Sequence, residues 1–227
     1  MRLAAIAATA ACLAAPAAAE AGARAEYSFG FAKRAPGAPT SATAHIVYKP
    51  APGQSKPSPI RRVVLDLPRR TAVNRGLPRC TASDEELRLL GRGACEEGSL
   101  VGTGWLTAAT GFGPPFDPVA TDLWLFNSPE GLLELVQADG ADATLAVERG
   151  TMSRTRIVFE PPTTPGGPPD GETAVSENHW EIAGGRSAWL TTPPRCPRRR
   201  TWRSTGTFTF ADGVTTVVRA STPCRRR

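Results

Sequence analysis

The sequence predicts an all-β domain, an antiparallel β-sandwich of about ten strands with one short helix between Cys80 and Cys95. Three observations lead to it. Apolar and polar residues alternate in many short segments bounded by Gly, Pro or Asp, the pattern of antiparallel strands that bury one face. Four cysteines, at 80, 95, 196 and 224, form an even set. The first 19 residues read as an export leader, which places those cysteines where disulfides form.

The leader begins with Arg2 as its positive region, and Leu3 to Leu13 follow as an apolar run of 11 residues. Pro16 ends the run, and Ala17-Ala18-Ala19 supplies small residues for cleavage after Ala19, with Ala21 or Ala23 as alternatives. The run is too short to span a bilayer, which takes roughly 20 apolar residues. Thr9-Ala10-Ala11-Cys12 has part of a lipoprotein box but lacks the Leu three residues before the cysteine, so lipidation of Cys12 is not expected. Residues 20–227 are then expected to form a single extracytoplasmic domain, long enough to bury a sizeable core, with no transmembrane segment.

Along that domain, Tyr27, Phe29 and Phe31 share one strand face, and Ser28, Gly30 and Ala32 share the other. Ala44, Ile46 and Tyr48 repeat the pattern, as do Val63, Leu65 and Leu67. Further strands are expected over 99–107, 119–126, 132–137, 143–149, 155–160, 178–183 and 186–191. The last pair, 205–211 and 214–221, flanks Asp212-Gly213. A two-residue turn there sets Phe208 opposite Val217 and Phe210 opposite Thr215. Asp139-Gly140 marks a second turn. Ser83 and Glu86 form a capping box, Leu87 and Leu90 share a helical face, and Gly91 or Gly93 ends the helix. Three proline-rich stretches, 50–59, 112–118 and 161–169, read as stiff loops between strands.

Four cysteines permit three pairings. Cys80 and Cys95 bracket the helix, and Cys196 and Cys224 bracket the Asp-Gly hairpin, whose strands bring its ends together. Pairing 80–95 with 196–224 is therefore favoured. Gly76-Leu77-Pro78-Arg79-Cys80, Val101-Gly102-Thr103-Gly104, Thr192-Pro193-Pro194-Arg195-Cys196 and Pro223-Cys224 after Asp212-Gly213 resemble uncharacterised secreted proteins of actinobacteria. The resemblance spans roughly residues 60–224. It implies an envelope location and disulfides and carries no activity.

The sequence contains few catalytic motifs. It has no nucleophile elbow and no H-E-x-x-H pair, and its two histidines, His45 and His179, are far apart in sequence. His179 lies between Glu177 and Glu181 on one strand face, and the simplest reading is a polar outer face with Trp180 and Ile182 turned inward. No metal site or cofactor is expected. Gly102-Thr103-Gly104 reads as a place where a neighbouring strand approaches closely. Tryptophans 105, 124, 180, 189 and 202 are either core or a stacking surface for sugars, and the sequence does not separate the two.

The net charge is +6, nearly all of it Arg. Arg195, Arg198, Arg199, Arg200 and Arg203 surround Cys196, and Arg225, Arg226 and Arg227 follow Cys224. A 196–224 disulfide would bring the two runs together as an anion-binding cluster for an envelope polymer or lipid surface, with nucleic acid a less physiological partner. The alternative is a solvated tail. The leading functional expectation is an exported, non-catalytic binding or structural module. A hydrolase site near His179 and a carbohydrate-binding surface of exposed Trp are the alternatives.

Overall fold

The computed structural model describes residues 23–225. The predicted leader, Cys12, Arg226 and Arg227 lie outside the described residues. Fourteen strands and one short helix follow in chain order. They are β1 (Ala25–Phe31), β2 (Pro39–Thr40), β3 (Ala42–Tyr48), β4 (Ile60–Asp66), β5 (Ala72–Val73), α1 (Asp84–Leu90), β6 (Leu100–Ala109), β7 (Val119–Asn127), β8 (Gly131–Ala138), β9 (Thr144–Ser153), β10 (Arg156–Phe159), β11 (Ala174–Ile182), β12 (Leu190–Thr191), β13 (Thr201–Phe210) and β14 (Thr215–Pro223).

Eleven of these strands form one sheet in the order β1-β3-β11-β6-β7-β8-β9-β10-β4-β13-β14, and β2, β12 and β5 form a small second sheet. The all-β, antiparallel class with one short helix is what the sequence predicts. The arrangement into two facing sheets is not what is seen, because hydrogen bonding runs through a single sheet that curls into a nearly closed barrel. Period two tells each strand which face to bury. A sandwich and a barrel satisfy it equally, and the choice lies in long-range register.

The seam has a topological cause. Every neighbouring pair is antiparallel. With an odd number of strands, β1 and β14 must run in the same direction. They meet through side chains: the Thr222 hydroxyl donates to the Phe29 carbonyl oxygen at 2.8 Å. Beneath the seam, Tyr27 packs edge-on against Phe208 and Phe31 against Trp202.

The barrel interior holds the main core, with Ile46, Leu65, Leu123, Leu125, Leu132, Phe159 and Phe208 all at most 2% exposed. A second cluster lies outside the wall. Residues 132–137 of β8 are buried on both faces, because α1 covers the outer one. Ser83 caps α1, accepting from the Glu86 N–H, while the Glu86 carboxylate accepts from the Ser83 N–H. Leu87 is fully buried against Leu133, Leu135 and Val147. Arg149 clamps the helix start through Asp84 at 2.8 Å and the Ala82 carbonyl oxygen at 2.7 Å. Gly91 ends it at φ 58°, where a Cβ would sit 2.5 Å from the Gln137 side-chain nitrogen.

Two local expectations need correction. The β13–β14 hairpin pairs Thr207 with Val217, Phe208 with Thr216 and Thr209 with Thr215, one residue off the expected register. The Gly213 N–H donates to the Phe210 carbonyl oxygen and Phe210 N–H to the Val214 carbonyl oxygen, both at 2.9 Å. With Gly213 at φ 81°, this is a three-residue loop ending in a left-handed residue, which Asp-Gly serves as well as a two-residue turn. The strand expected over 186–191 shrinks to Leu190–Thr191. Buried Trp189 holds this stretch in place, its indole N–H donating to the Asn127 side-chain oxygen at 3.2 Å.

Candidate functional site

At one end of the barrel, β4 gives way to the Pro68-Arg69-Arg70 turn, and the segment before β13 folds back beside it. The disulfide between Cys196 and Cys224 ties that segment to the end of β14, with Cα atoms 5.7 Å apart. The Trp202 indole N–H donates to the Arg195 carbonyl oxygen at 3.1 Å, and the Cys224 N–H donates to the Arg200 carbonyl oxygen at 2.8 Å. Between the two segments runs an open groove of about 440 Å³ lined by Arg69, Arg70, Arg195, Arg198, Arg199 and Arg203. All six are exposed, and none forms an ion pair among the described residues.

Four of the sequence-predicted arginines, Arg195, Arg198, Arg199 and Arg203, therefore share this groove. Arg200 stands beside it in a left-handed conformation, φ 54°. Arg225 bonds through its backbone N–H to the Arg34 carbonyl oxygen at 2.9 Å. Arg69 and Arg70 were missed in the sequence, and their signal was a Pro-Arg-Arg turn directly after a strand. Cys80 and Cys95, joined with Cα atoms 4.8 Å apart, bracket α1 on the barrel's outer wall.

The histidines meet across strands. In the register of β3, β11 and β6, His45, His179 and Trp105 form one row on the outer face. The Trp105 ring stacks on His179 at 5.5 Å, and His45 approaches His179 edge-on at 5.6 Å. Glu177 contacts His45 at 2.6 Å, while Glu181 lies 3.3 Å from His179. Trp180 and Ile182 point inward. The row lies on the outer face, and the two spaces inside the barrel are lined by neither imidazole. Nor do the indoles form a flat exposed row. Trp105 is 39% exposed, Trp124 lies under the Arg92 guanidinium, and the other three are buried. The two glycines behind the row allow β6 to approach β11: a Cβ at Gly102 would sit 2.5 Å from the Glu181 carbonyl oxygen, and one at Gly104 would overlap the His179 carbonyl oxygen.

A further site, unforeseen in the sequence, lies inside the opposite end of the barrel, where the loops after β3, β6 and β10 gather. A pocket of about 290 Å³ is walled by apolar side chains including Leu106, Ala108, Val136, Ala146 and Val175, and Glu148 lines it. Glu148 also borders a small inner space of about 20 Å³, shared with Glu134, Tyr48, Asn178 and Trp180. Glu134 and Glu148 are direct cross-strand partners on β8 and β9. Burial pushes the Glu134 carboxyl well above the usual carboxylate range, the neighbouring Glu148 adds to the rise, and Asn178 and Trp180 oppose it. Burial likewise raises Glu148 to about 7. The Asn178 amide donates to Glu134 at 3.3 Å. The only hint in the sequence was a single Glu inside the apolar run Leu132-Leu133-Glu134-Leu135-Val136.

Among the described residues no group of three or more His, Cys, Asp or Glu is arranged to hold a metal ion. Searches of protein-family models, curated proteins and solved structures found nothing that matches this chain.

Proposed function

We propose that this chain is an exported, non-catalytic module that holds an anionic polymer of the cell envelope or extracellular space in its arginine groove. The observation that carries this reading is the groove itself, which is lined by six exposed arginines with no carboxylate ion-pair partner among the described residues. Guanidinium forks match phosphate and carboxylate oxygens through paired hydrogen bonds. The Cys196–Cys224 bond and the buried Trp202 anchor the groove's wall, so less freedom is lost on binding. A concave channel suits a flexible chain of anionic groups better than a flat bilayer. Export is supported by the leader-like residues 1–19 and accords with two disulfides, which persist in oxidising compartments.

The test is a salt titration of binding to immobilised polyphosphate, with anionic vesicles as the comparison. Binding should weaken steeply with salt, because exposed charges are screened within about 8 Å at physiological ionic strength. Replacing Arg198, Arg199 and Arg203 by Ser should abolish it. Equal binding by that variant, or no binding even at low salt, refutes the polymer reading. Tighter binding to vesicles than to polymer moves the target to a membrane.

A further inference from the structure

We propose that the open end of the barrel is a second binding site, for a small apolar amine whose ammonium group is held by Glu148 and Glu134. This goes beyond the polymer reading and rests on different residues at the other end of the molecule.

The pocket's volume, about 290 Å³, lies just under the roughly 300 Å³ at which small-molecule sites begin. Its walls favour an aliphatic or aromatic body. The polar groups at its base are unbalanced in one direction. Glu148 and Glu134 both bring acceptor oxygens to the inner space. The Asn178 side-chain oxygen is buried there without a donor. Buried polar atoms are nearly always paired in native proteins, so this set lacks its complement.

Every charged or titratable group that faces the site can be named. β8 brings Glu134, β9 brings Glu148 and β3 brings Tyr48. β4 brings Arg61, and the loop before β11 brings Glu172. Arg61 is engaged by Glu172 at 2.7 Å and by Thr163 at 3.1 Å, so it offers little to an anionic ligand. The Thr121 hydroxyl donates to the Leu106 carbonyl oxygen. A carboxylate ligand would add a third acid to the chamber. A neutral alcohol has one donor for several acceptors. An ammonium group has three donors and the opposite charge. The inner space of about 20 Å³ exceeds the one probe sphere of roughly 10–15 Å³ that a water-sized group needs.

Burial favours the protonated carboxyl at Glu134 and holds Glu148 protonated below about pH 7. Binding an ammonium therefore releases a proton to solvent. Affinity should rise with pH up to the range where Glu148 ionises, by up to about tenfold per pH unit.

Octylamine, octan-1-ol and octanoate are titrated into the intact chain, with heat of binding and Trp fluorescence as readouts. Octylamine should bind roughly tenfold or more tightly than octan-1-ol, since hydrogen bonds to charged groups are the stronger ones. Octanoate should bind weakest. Octylamine heats should differ between buffers of unlike ionisation enthalpy, reporting the released proton. Glu148→Gln should remove the amine's advantage while octan-1-ol still binds, which shows that the pocket remains folded. Glu134→Gln serves as the second variant. Octan-1-ol or octanoate binding as tightly as octylamine overturns the assignment, as does an amine advantage that survives both substitutions. Binding of none of the three removes the pocket as a site. The groove variant Arg198→Ser/Arg199→Ser/Arg203→Ser should leave all three titrations unchanged, so failure here and failure of the polymer reading are separate results.

Discussion

The inward-facing acid pair, Glu134 buried and Glu148 partly so, makes the fold's stability depend on pH in an unusual window. Glu148 moves from an ordinary 4.5 to about 7 in the folded chain because burial penalises its charged form. A carboxyl raised in this way gives its full contribution when protonated in both states, below about pH 4.5, and that contribution is lost as pH rises through about 7. The shift corresponds to about 3 kcal/mol for Glu148 alone, at about 1.4 kcal/mol per pH unit. Glu134 shifts in the same direction and adds to the loss. Burial pushes the Asp170 and Asp212 carboxyls up, but hydrogen bonds from Lys56 and Arg24, further hydrogen bonds from backbone N–H groups and Ser58, and the nearby positive charges together hold both below the usual range, so they act oppositely and only in stronger acid. Stability should therefore fall between about pH 5 and 8, where most proteins are near their maximum. Urea unfolding across that range should show the midpoint dropping by about 1 M, taking roughly 3 kcal/mol per M for the denaturant slope. Glu134→Gln/Glu148→Gln should flatten the curve. A wild-type midpoint constant over this range, or the same slope in the double variant, would refute the reasoning.

Three further outcomes follow from the packing. Gly104→Ala forces a methyl group into the His179 carbonyl oxygen, so β6 must part from β11; a clear drop in thermal midpoint is expected, and an unchanged midpoint removes the close-approach argument. Each disulfide closes a loop, of 15 residues for Cys80–Cys95 and 28 for Cys196–Cys224, so removing either by a double Cys→Ser change should cost about 3 kcal/mol in chemical denaturation. Loss of the second should also weaken polyphosphate binding, whereas loss of the first should not. Leu87→Ala empties the contact between α1 and the barrel wall and should cost about 2–5 kcal/mol, measured by the same unfolding assay; a change below about 1 kcal/mol would mean that the helix contributes little to the core.

The sequence was most legible where a physical rule is local. Alternation located the strands of the main sheet, since Tyr27, Phe29 and Phe31 must turn the same way. Ser83 and Glu86 marked the helix start because their bonds lie within one turn. What depends on distant pairing was not legible. The Glu177 carboxylate reads as a neighbour of His179, yet it contacts His45, 132 residues away. Glu148 stands next to Arg149 and reads as surface. Only α1, covering the outer side of β9 over Val147, shows that the inner side carries Ala146 and Glu148. Arg69 and Arg70 joined the predicted arginines only when the fold placed the turn after β4 beside residues 193–203. The DG turn shows the limit at short range: Gly213 was legible as left-handed, but not whether two or three residues make the loop.

The seam between β1 and β14 has a consequence for the order of assembly. The contact that closes the ring, Thr222 to Phe29, joins residues 193 positions apart. A chain made from its N-terminus has β1 and β3 early, yet β1 must wait for the last strand before its outer edge is covered. Contacts this distant are among the slowest to form, because loop closure comes first. Until then, the backbone groups along that edge of β1 are uncovered and can accept a strand from another chain. The period between making the first strand and the last is thus when this protein is most open to mispairing, and a helper that shields an exposed strand edge would act on β1.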